Sequence, residues 1–403
     1  MTYDIARVRE RFPALATGTA FFDGPGGTQI PDLVASAMVV AMLGGMSNRG
    51  RVTEAERRSD DMTLDARQAG ADLVNADPRG VVFGRSMTAI AFDIARTLAQ
   101  GWGPGDEIIV TRLDHDGNVR PWVTCAERSG ATVRWAPFDR ESGILTADDV
   151  TSLLTDRTRL VAVSRASNLI GTRPDVAAIG EAVRGTDALF WVDGVHLTAH
   201  APVDMQAIGA DFYVCSPYKF LGPHLGMLAA SPTLLETLHP DKLRPSTEVV
   251  PERFELGTLP YELLAGVTAA IDMLADLDPG DEDAPRRERI VQSMTSLEAY
   301  EDELHAVLRE GLESVPGIRL YAHAPLRTPT ELFTIDGLDS QAIYRELAER
   351  DINAPASSFY AIEAAEWLGL GEPGGVRVGL APYSNREDVE RLITALTEVA
   401  SAR

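Results

Sequence analysis

Asp211-Phe-Tyr-Val-Cys-Ser-Pro-Tyr-Lys-Phe-Leu-Gly-Pro-His-Leu-Gly226 decides how this chain is read. An apolar, β-prone run ends near Cys215. A tight segment containing Pro217, Gly222 and Pro223 then leads into the next apolar run, Gly226-Met-Leu-Ala-Ala230. The glycine and prolines force a turn that leaves little freedom to the one lysine inside it, Lys219. Just upstream, Trp191-Val-Asp193 ends another apolar run on a carboxylate. A lysine and a carboxylate at strand ends suit a ligand crevice at the carboxyl edge of a sheet.

Working outward, short β-rich runs alternate with helical stretches. Val81-Val-Phe83, Glu107–Thr111, Thr132–Trp135, Leu160–Ser164, Ala188–Asp193, Phe212–Cys215 and Gly226–Ala230 read as strands. Helical patterns separate several of them, as over 88–100 and 172–185. This predicts an α/β fold with a mainly parallel, seven-stranded sheet covered on both faces. The last two runs lie too close for a helical crossover, so that part of the sheet is expected to be antiparallel. A helix over 259–277 leads to Asp276-Leu-Asp-Pro-Gly-Asp-Glu-Asp-Ala-Pro285, a boundary or surface loop. Beyond it a long helix, about 287–313, precedes strands near 318–321, 331–335 and 376–380, with helices over 340–350 and 386–401. The expected organisation is a large α/β domain over 16–275 and a smaller α+β domain from 1–15 and 286–403, joined by 276–285.

The 403 residues carry 60 acidic and 37 basic side chains, for a net charge of -23. No dense basic run appears, which argues against nucleic acid as a partner. No apolar run nears the roughly 18 residues needed to span a bilayer, and the first ten residues lack the apolar core of a signal peptide. Two cysteines, Cys125 and Cys215, make no disulfide framework. A cytoplasmic protein acting on a small molecule, apart from membranes, is the expectation. Asp114-His-Asp116 has no third metal ligand at useful spacing, so a metal hydrolase is disfavoured.

The remaining motifs lie at strand ends. A lysine amine forms a Schiff base with an aldehyde cofactor, and a buried carboxylate keeps a pyridinium nitrogen protonated. Lys219 with Asp193 therefore points to pyridoxal 5'-phosphate. Gly84-Arg-Ser-Met-Thr88 opens a helix. Its hydroxyls and free N–H groups serve either as a phosphate cradle or simply as a cap. His115 can stack on a planar ring, carry a proton, or sit satisfied in a capped loop. Ser167-Asn168 follows another strand and can reach a phenolic oxygen.

These motifs together resemble the class V aminotransferase family of fold-type I pyridoxal-phosphate enzymes, in its cysteine desulfurase-like branch. Phe22-Asp-Gly-Pro-Gly-Gly27 looks like the opening strand and turn. His115 with Asn118, Pro121 and Trp122 is similar to His-x-x-Asn-x-x-Pro-Trp. Asp193-Gly-Val-His196 is similar to Asp-Gly-Ala-Gln, Ser216-Pro-Tyr-Lys219 to Ser-Gly-His-Lys, and Phe254–Pro260 to Phe-Glu-x-Gly-Thr-Pro. The resemblance implies that Lys219 anchors the cofactor, Asp193 meets its ring nitrogen, His115 stacks on the ring and Asn168 lies near its phenolic oxygen. His196 and Tyr218 would border the ring. Ser86, Met87, Thr88 and Ser216 would hold the phosphate, with Thr258 arriving from the partner of a homodimer with shared sites. Arg377, otherwise readable as a surface salt-bridge residue, would grip the substrate carboxylate. Asn48 and Arg49 would lie at the rim.

Three departures from the family pattern bear on the reaction. His196 replaces the usual glutamine and Tyr218 the usual histidine before the lysine, and both add proton-transfer candidates near the ring. The third is a missing cysteine. The resemblance places a desulfurase's nucleophilic cysteine in the segment Asp351-Ile-Asn-Ala-Pro-Ala-Ser-Ser-Phe-Tyr360, which contains none. Serine cannot hold a persulfide, so desulfuration is disfavoured. Lyase-type β-elimination from a cysteine-like substrate leads. Transamination follows, then epimerisation or racemisation, and a non-enzymatic binding module comes last.

Overall fold

The computed structural model describes residues 3–278, 280–371 and 374–402. Met1 and Thr2 of the N-terminal segment, and Pro279 of the acidic run, lie outside them. The chain opens with α1 (Ile5–Arg9), the short strand β1 (Ala20–Phe21), α2 (Asp32–Leu43) and α3 (Glu54–Val74). The start of α3 is fixed by a capping box, with Thr53 Oγ1 accepting from Glu56 N and the Glu56 carboxylate accepting from Thr53 N. Neither α2 nor α3 stands out in the apolar pattern: α2 is apolar nearly all round, whereas α3 is rich in charge.

The apolar runs then build a large sheet. Its strands are β2 (Val81–Gly84), β3 (Glu107–Thr111), β4 (Thr132–Ala136), β5 (Thr158–Ser164), β6 (Leu189–Asp193), β7 (Phe212–Cys215) and β8 (Gly226–Ala230), in the order β2-β8-β7-β6-β5-β3-β4. Neighbours pair in parallel from β4 to β7, while β8 runs antiparallel to both β7 and β2. The expected antiparallel part is thus β8, and Lys219 sits in the short connection that feeds it.

Alternate residues of each strand enter opposite cores, as a two-residue period requires. Ile109, Val161, Val163, Phe190 and Val192 join one core with Ala66 and Leu73 of α3. Ile108, Val110, Leu160, Ala162 and Trp191 join the other. That second face is covered by α4 (Met87–Ala99), through Ile90 and Ile94, and α5 (Arg120–Ser129), through Trp122 and Cys125. Burial on both faces is why these strands read as unbroken apolar runs.

Smaller helices follow in the crossovers, α6 (Ala147–Thr151), α7 (Val176–Arg184), α8 (Met205–Ile208) and α9 (Pro232–Thr237), before α10 (Tyr261–Ala275) and the long α11 (Arg286–Glu313). The C-terminal part has β9 (Ile318–Tyr321), β10 (Thr330–Ile335), α12 (Ser340–Ala348), β11 (Ile352–Asn353), β12 (Ala356–Ser357), α13 (Ile362–Trp367), β13 (Gly375–Gly379) and α14 (Arg386–Ser401). Four of these strands form an antiparallel sheet, β12-β13-β10-β9, on a core shared with α11, α12 and α14. The N-terminus is tied to this part. Arg9 pairs with Asp388, Tyr3 stacks on Tyr300, and β1 lies parallel to β11. Among the described residues no helix is long and apolar enough to cross a membrane.

Candidate active site

The connections leaving the carboxyl ends of the large-sheet strands converge on one cavity of about 70 Å³. Ser86, Met87 and Thr88 come from the end of β2, His115 from β3, Asn168 from β5, Asp193 and His196 from β6, and Ser216, Tyr218 and Lys219 from β7. Pro25 adds a wall from the N-terminal turn. Ten of the residues singled out in the sequence are therefore brought together by topology, although 133 positions separate Ser86 from Lys219 (219 minus 86).

Burial sets the charge states. Lys219 donates from Nζ to Pro25 O, and its amine is lowered from 10.5 to about 7, chiefly by burial and then by the nearby Arg377 cation. Asp193 is buried at the end of β6, and its carboxyl is pushed up from 3.8 to about 7. Burial is the main cause, opposed by the Val195 N–H that donates to Oδ1 at 2.8 Å; the like charge of Asp114 raises it further. His115 accepts from Gly117 N at Nδ1, 2.9 Å away, so a neutral ring carries its proton on Nε2. Burial, then Lys219 and Arg377, lower this imidazole to about 4.

His196 is buried and held well below the usual histidine range by burial and by His200. Its Nε2 meets Thr328 Oγ1 at 2.9 Å and Thr330 Oγ1 at 3.1 Å, which ties the cavity wall to the C-terminal part. Tyr218 stacks on His224 with ring centroids 4.7 Å apart, and Lys219 Nζ lies 5.0 Å from the Tyr218 ring centre. Asp114 is occupied elsewhere: Thr111 Oγ1 and Asn118 Nδ2 both donate to it, and Asn118 Oδ1 accepts from Trp191 Nε1.

Three local features suit this cavity to a phosphorylated ring that carries a hydroxyl. Ser86 caps α4, its Oγ accepting from Ala89 N at 3.1 Å, so the first helical N–H groups face outward without intrahelical acceptors. Gly226 lets the neighbouring strand approach that turn, because a Cβ there would stand only 2.3–2.6 Å from Ser86 and Met87 backbone atoms. Asn168 donates from Nδ2 to Phe359 O at 3.0 Å, which leaves its buried Oδ1 without a partner. A buried acceptor without a donor is costly, and a ligand hydroxyl in the cavity would satisfy it.

Four of the expected residues do not line this cavity. Arg377, on β13, is fully buried beside it. It donates from Nη1 to Asn168 O at 3.0 Å and from Nη2 to Asp23, and stacks its guanidinium 3.7 Å from the Phe359 ring centre. Thr258 is exposed and borders a separate, largely apolar cavity of about 560 Å³ with Arg85, His224 and Leu256. Arg49 is paired with Asp60 at 2.7 Å and Glu252 at 3.0 Å, and Asn48 is exposed. Neither thiol lies in the loop 351–360. Cys125 is buried in α5, and Cys215, at the end of β7, is pushed far above the ordinary thiol range by burial. The sequence reading gave no site role to Asp23, Pro25, Thr328 or Thr330. Asp23 and Pro25 lie within the opening turn Phe22–Gly27 that the resemblance picked out, whereas Thr328 and Thr330 left no trace.

The comparisons with known proteins agree with this geometry. The aminotransferase class-V family model matches residues 20–392. The chain is 35% identical over 401 residues to the uncharacterised protein MT3887 of Mycobacterium tuberculosis (strain CDC 1551 / Oshkosh), covering 99% of this chain and 100% of that one. It is 32% identical over 414 residues to the aminotransferase-like protein FGM3 of Gibberella zeae, covering 99% of each. The crystal structure of the cysteine desulfurase CsdA from Escherichia coli superposes with a TM-score of 0.87 at 26% identity, covering 99% of both chains. With the family match spanning most of its length and the fold shared throughout, the chain belongs to the aminotransferase class-V family, in the cysteine desulfurase-like branch of the fold-type I pyridoxal-phosphate-dependent enzymes.

Proposed function

We propose that this enzyme cleaves the carbon–sulfur bond of a cysteine-like amino acid by β-elimination. The observation that carries the reading is the pairing of a near-neutral Lys219 with Asp193 in one cavity, beside a loop 351–360 that offers no thiol to receive sulfur. Pyridoxal phosphate, when bound, supplies a ring that accepts negative charge from the substrate's α-carbon. The N-terminal turn of α4 with Ser86, Met87, Thr88 and Ser216 would hold its phosphate, Asp193 its ring nitrogen, His115 one ring face, and Asn168 its phenolic oxygen. His196 and Tyr218 would wall the ring.

The proton inventory supports this assignment. An amine near pH 7 is largely free to take a proton at physiological pH, which suits Lys219 to the α-proton of the substrate. Asp193 resists ionisation while alone, and a cationic nitrogen beside it would restore its charge. Arg377 offers the guanidinium geometry that grips a carboxylate. With the α-proton on Lys219, the C–H electron pair forms the α,β double bond. The Cβ–S pair leaves with sulfur, which takes up a proton as thiol. Addition of water to the remaining amino acrylate yields pyruvate and ammonia.

We also propose a homodimer. Val39, Val40, Met42 and Leu43 of α2 are exposed, as are Val52, Val249 and Leu256. Exposed apolar side chains clustered on one helix, as on α2, mark a protein interface. A second copy is the fitting occupant, because Thr258 lies two residues from Leu256 and could then enter the partner's phosphate cup.

Single-turnover product analysis of holoenzyme with cysteine, cystine and S-substituted cysteines tests the reaction. Pyruvate and ammonia in equal amounts are the expected result, together with one equivalent of sulfide from cysteine, thiocysteine from cystine or thiol from an S-substituted cysteine, and with the cofactor's visible band restored. Keto acid with the cofactor left in its amine form would instead establish the transamination suggested by the name of the Gibberella relative, and sink the lyase reading.

A further inference from the structure

The loop without a cysteine is built for something else. Between β12 and α13, Phe359 and Tyr360 both have left-handed backbones, with φ of +52° and +57°. Two successive non-glycine residues rarely hold this conformation unless their surroundings impose it. Here they do. Asn168 Nδ2 donates to Phe359 O at 3.0 Å, and Asp116 N donates to Tyr360 O at 2.7 Å. Ser357 Oγ accepts from Phe359 N at 3.2 Å. Gly374 makes room behind the loop, since a Cβ there would meet Ser357 backbone at 2.2 Å. Both outer anchors belong to segments that wall the Lys219 cavity, so the loop is registered to the site itself.

The fixed backbone aims two rings differently. Phe359, partly buried, covers the Arg377 guanidinium. Tyr360 lies beside His115, ring centroids 5.7 Å apart at 30°, and remains 74% exposed. A large aromatic side chain left in water on a strained, fastened backbone next to a cavity residue is a preformed apolar contact face. Aromatic rings meet flat partners with an attraction beyond their area burial.

We infer that Phe359 and Tyr360 determine specificity, selecting cysteine S-conjugates whose sulfur carries a flat aromatic group. Phe359 restricts the carboxylate end at Arg377, and Tyr360 receives the distal ring. This rests on the carbon–sulfur lyase reading, and the test separates the two. Holoenzyme is compared as wild type, Tyr360→Ala and Tyr360→Phe in two assays. The first is kcat/KM for S-phenyl-L-cysteine against S-methyl-L-cysteine. The second is equilibrium binding of L-homophenylalanine against L-norvaline, isosteres with no leaving group on the β-carbon, followed through the cofactor's visible band.

The expected result is that wild type prefers the phenyl member of each pair, Tyr360→Ala loses about tenfold of that preference, and Tyr360→Phe keeps it. A wild-type preference for the methyl members, or an unchanged ratio in Tyr360→Ala, overturns the inference. Selective binding of homophenylalanine without thiol release from either conjugate would overturn the lyase reading and leave the aromatic face standing.

Discussion

Lys219 and Asp193 pose opposite electrostatic problems in one cavity. Burial lowers Lys219 to about 7 and raises Asp193 to about 7, so each resists its charged form. A lysine whose folded pKa is depressed contributes stability that is present above its unfolded value of 10.5 and lost as pH falls through about 7. A carboxyl whose folded pKa is raised contributes stability that is present below 3.8 and lost as pH rises through about 7. In the cofactor-free protein, Lys219→Ala should therefore stabilise by at least about 1 kcal/mol at pH 6 and by little above pH 10. Asp193→Asn should show the reverse, gaining at pH 9 and not at pH 4. Denaturant melts across pH check both; flat profiles would mean that neither group is buried in its charged form. These two residues were legible because Asp193 ends an apolar run and Lys219 sits in the tight turn between two such runs. The contact between Asp23 and Arg377 was not, since 354 positions separate its members and nothing local to either one names the other.

At the scale of elements, the site depends on how closely β8 approaches the start of α4. Gly226 has no side chain because Ser86 and Met87 backbone occupies the space a Cβ would need. Gly226→Ala should push the α4 N-terminus outward, costing about 1–3 kcal/mol of stability and weakening cofactor retention. Thermal melts and dialysis against buffer measure the two losses. Retained cofactor in a destabilised variant would remove the α4 turn from the phosphate site. The strands that make this approach were readable because burial on both faces leaves continuous apolar runs, as in Ile108–Val110. Helices α2 and α3 escaped for opposite reasons. The exposed Val39, Val40, Met42 and Leu43 blur the amphipathic stripe of α2, and the charged face of α3 hides an inner stripe that includes Ala66, Ala69 and Leu73.

For the whole molecule, the apolar face of α2 and the exposed Thr258 belong to one question. Val40→Glu with Leu43→Glu places charge on side chains 70% and 82% exposed in the single chain, where neither folding core is touched. Sedimentation should show the wild type as a dimer and the double variant as a monomer that retains cofactor several-fold less tightly. A monomeric wild type with full activity would defeat the shared-site proposal. On the proposed dimer, the large cavity beside Thr258 would be space that a second copy fills.

The contact between Arg377 and Asp23 reaches further than its geometry. The resting protein already carries a carboxylate on the cation proposed to receive the substrate's. Binding on that reading is a substitution of one anion for another, and the affinity measures only the difference between an internal ligand and an external one. The cation never has to face the cavity unbalanced between turnovers. Discrimination against molecules lacking a carboxylate is correspondingly built in, because such a molecule gives Arg377 no reason to release the partner it has.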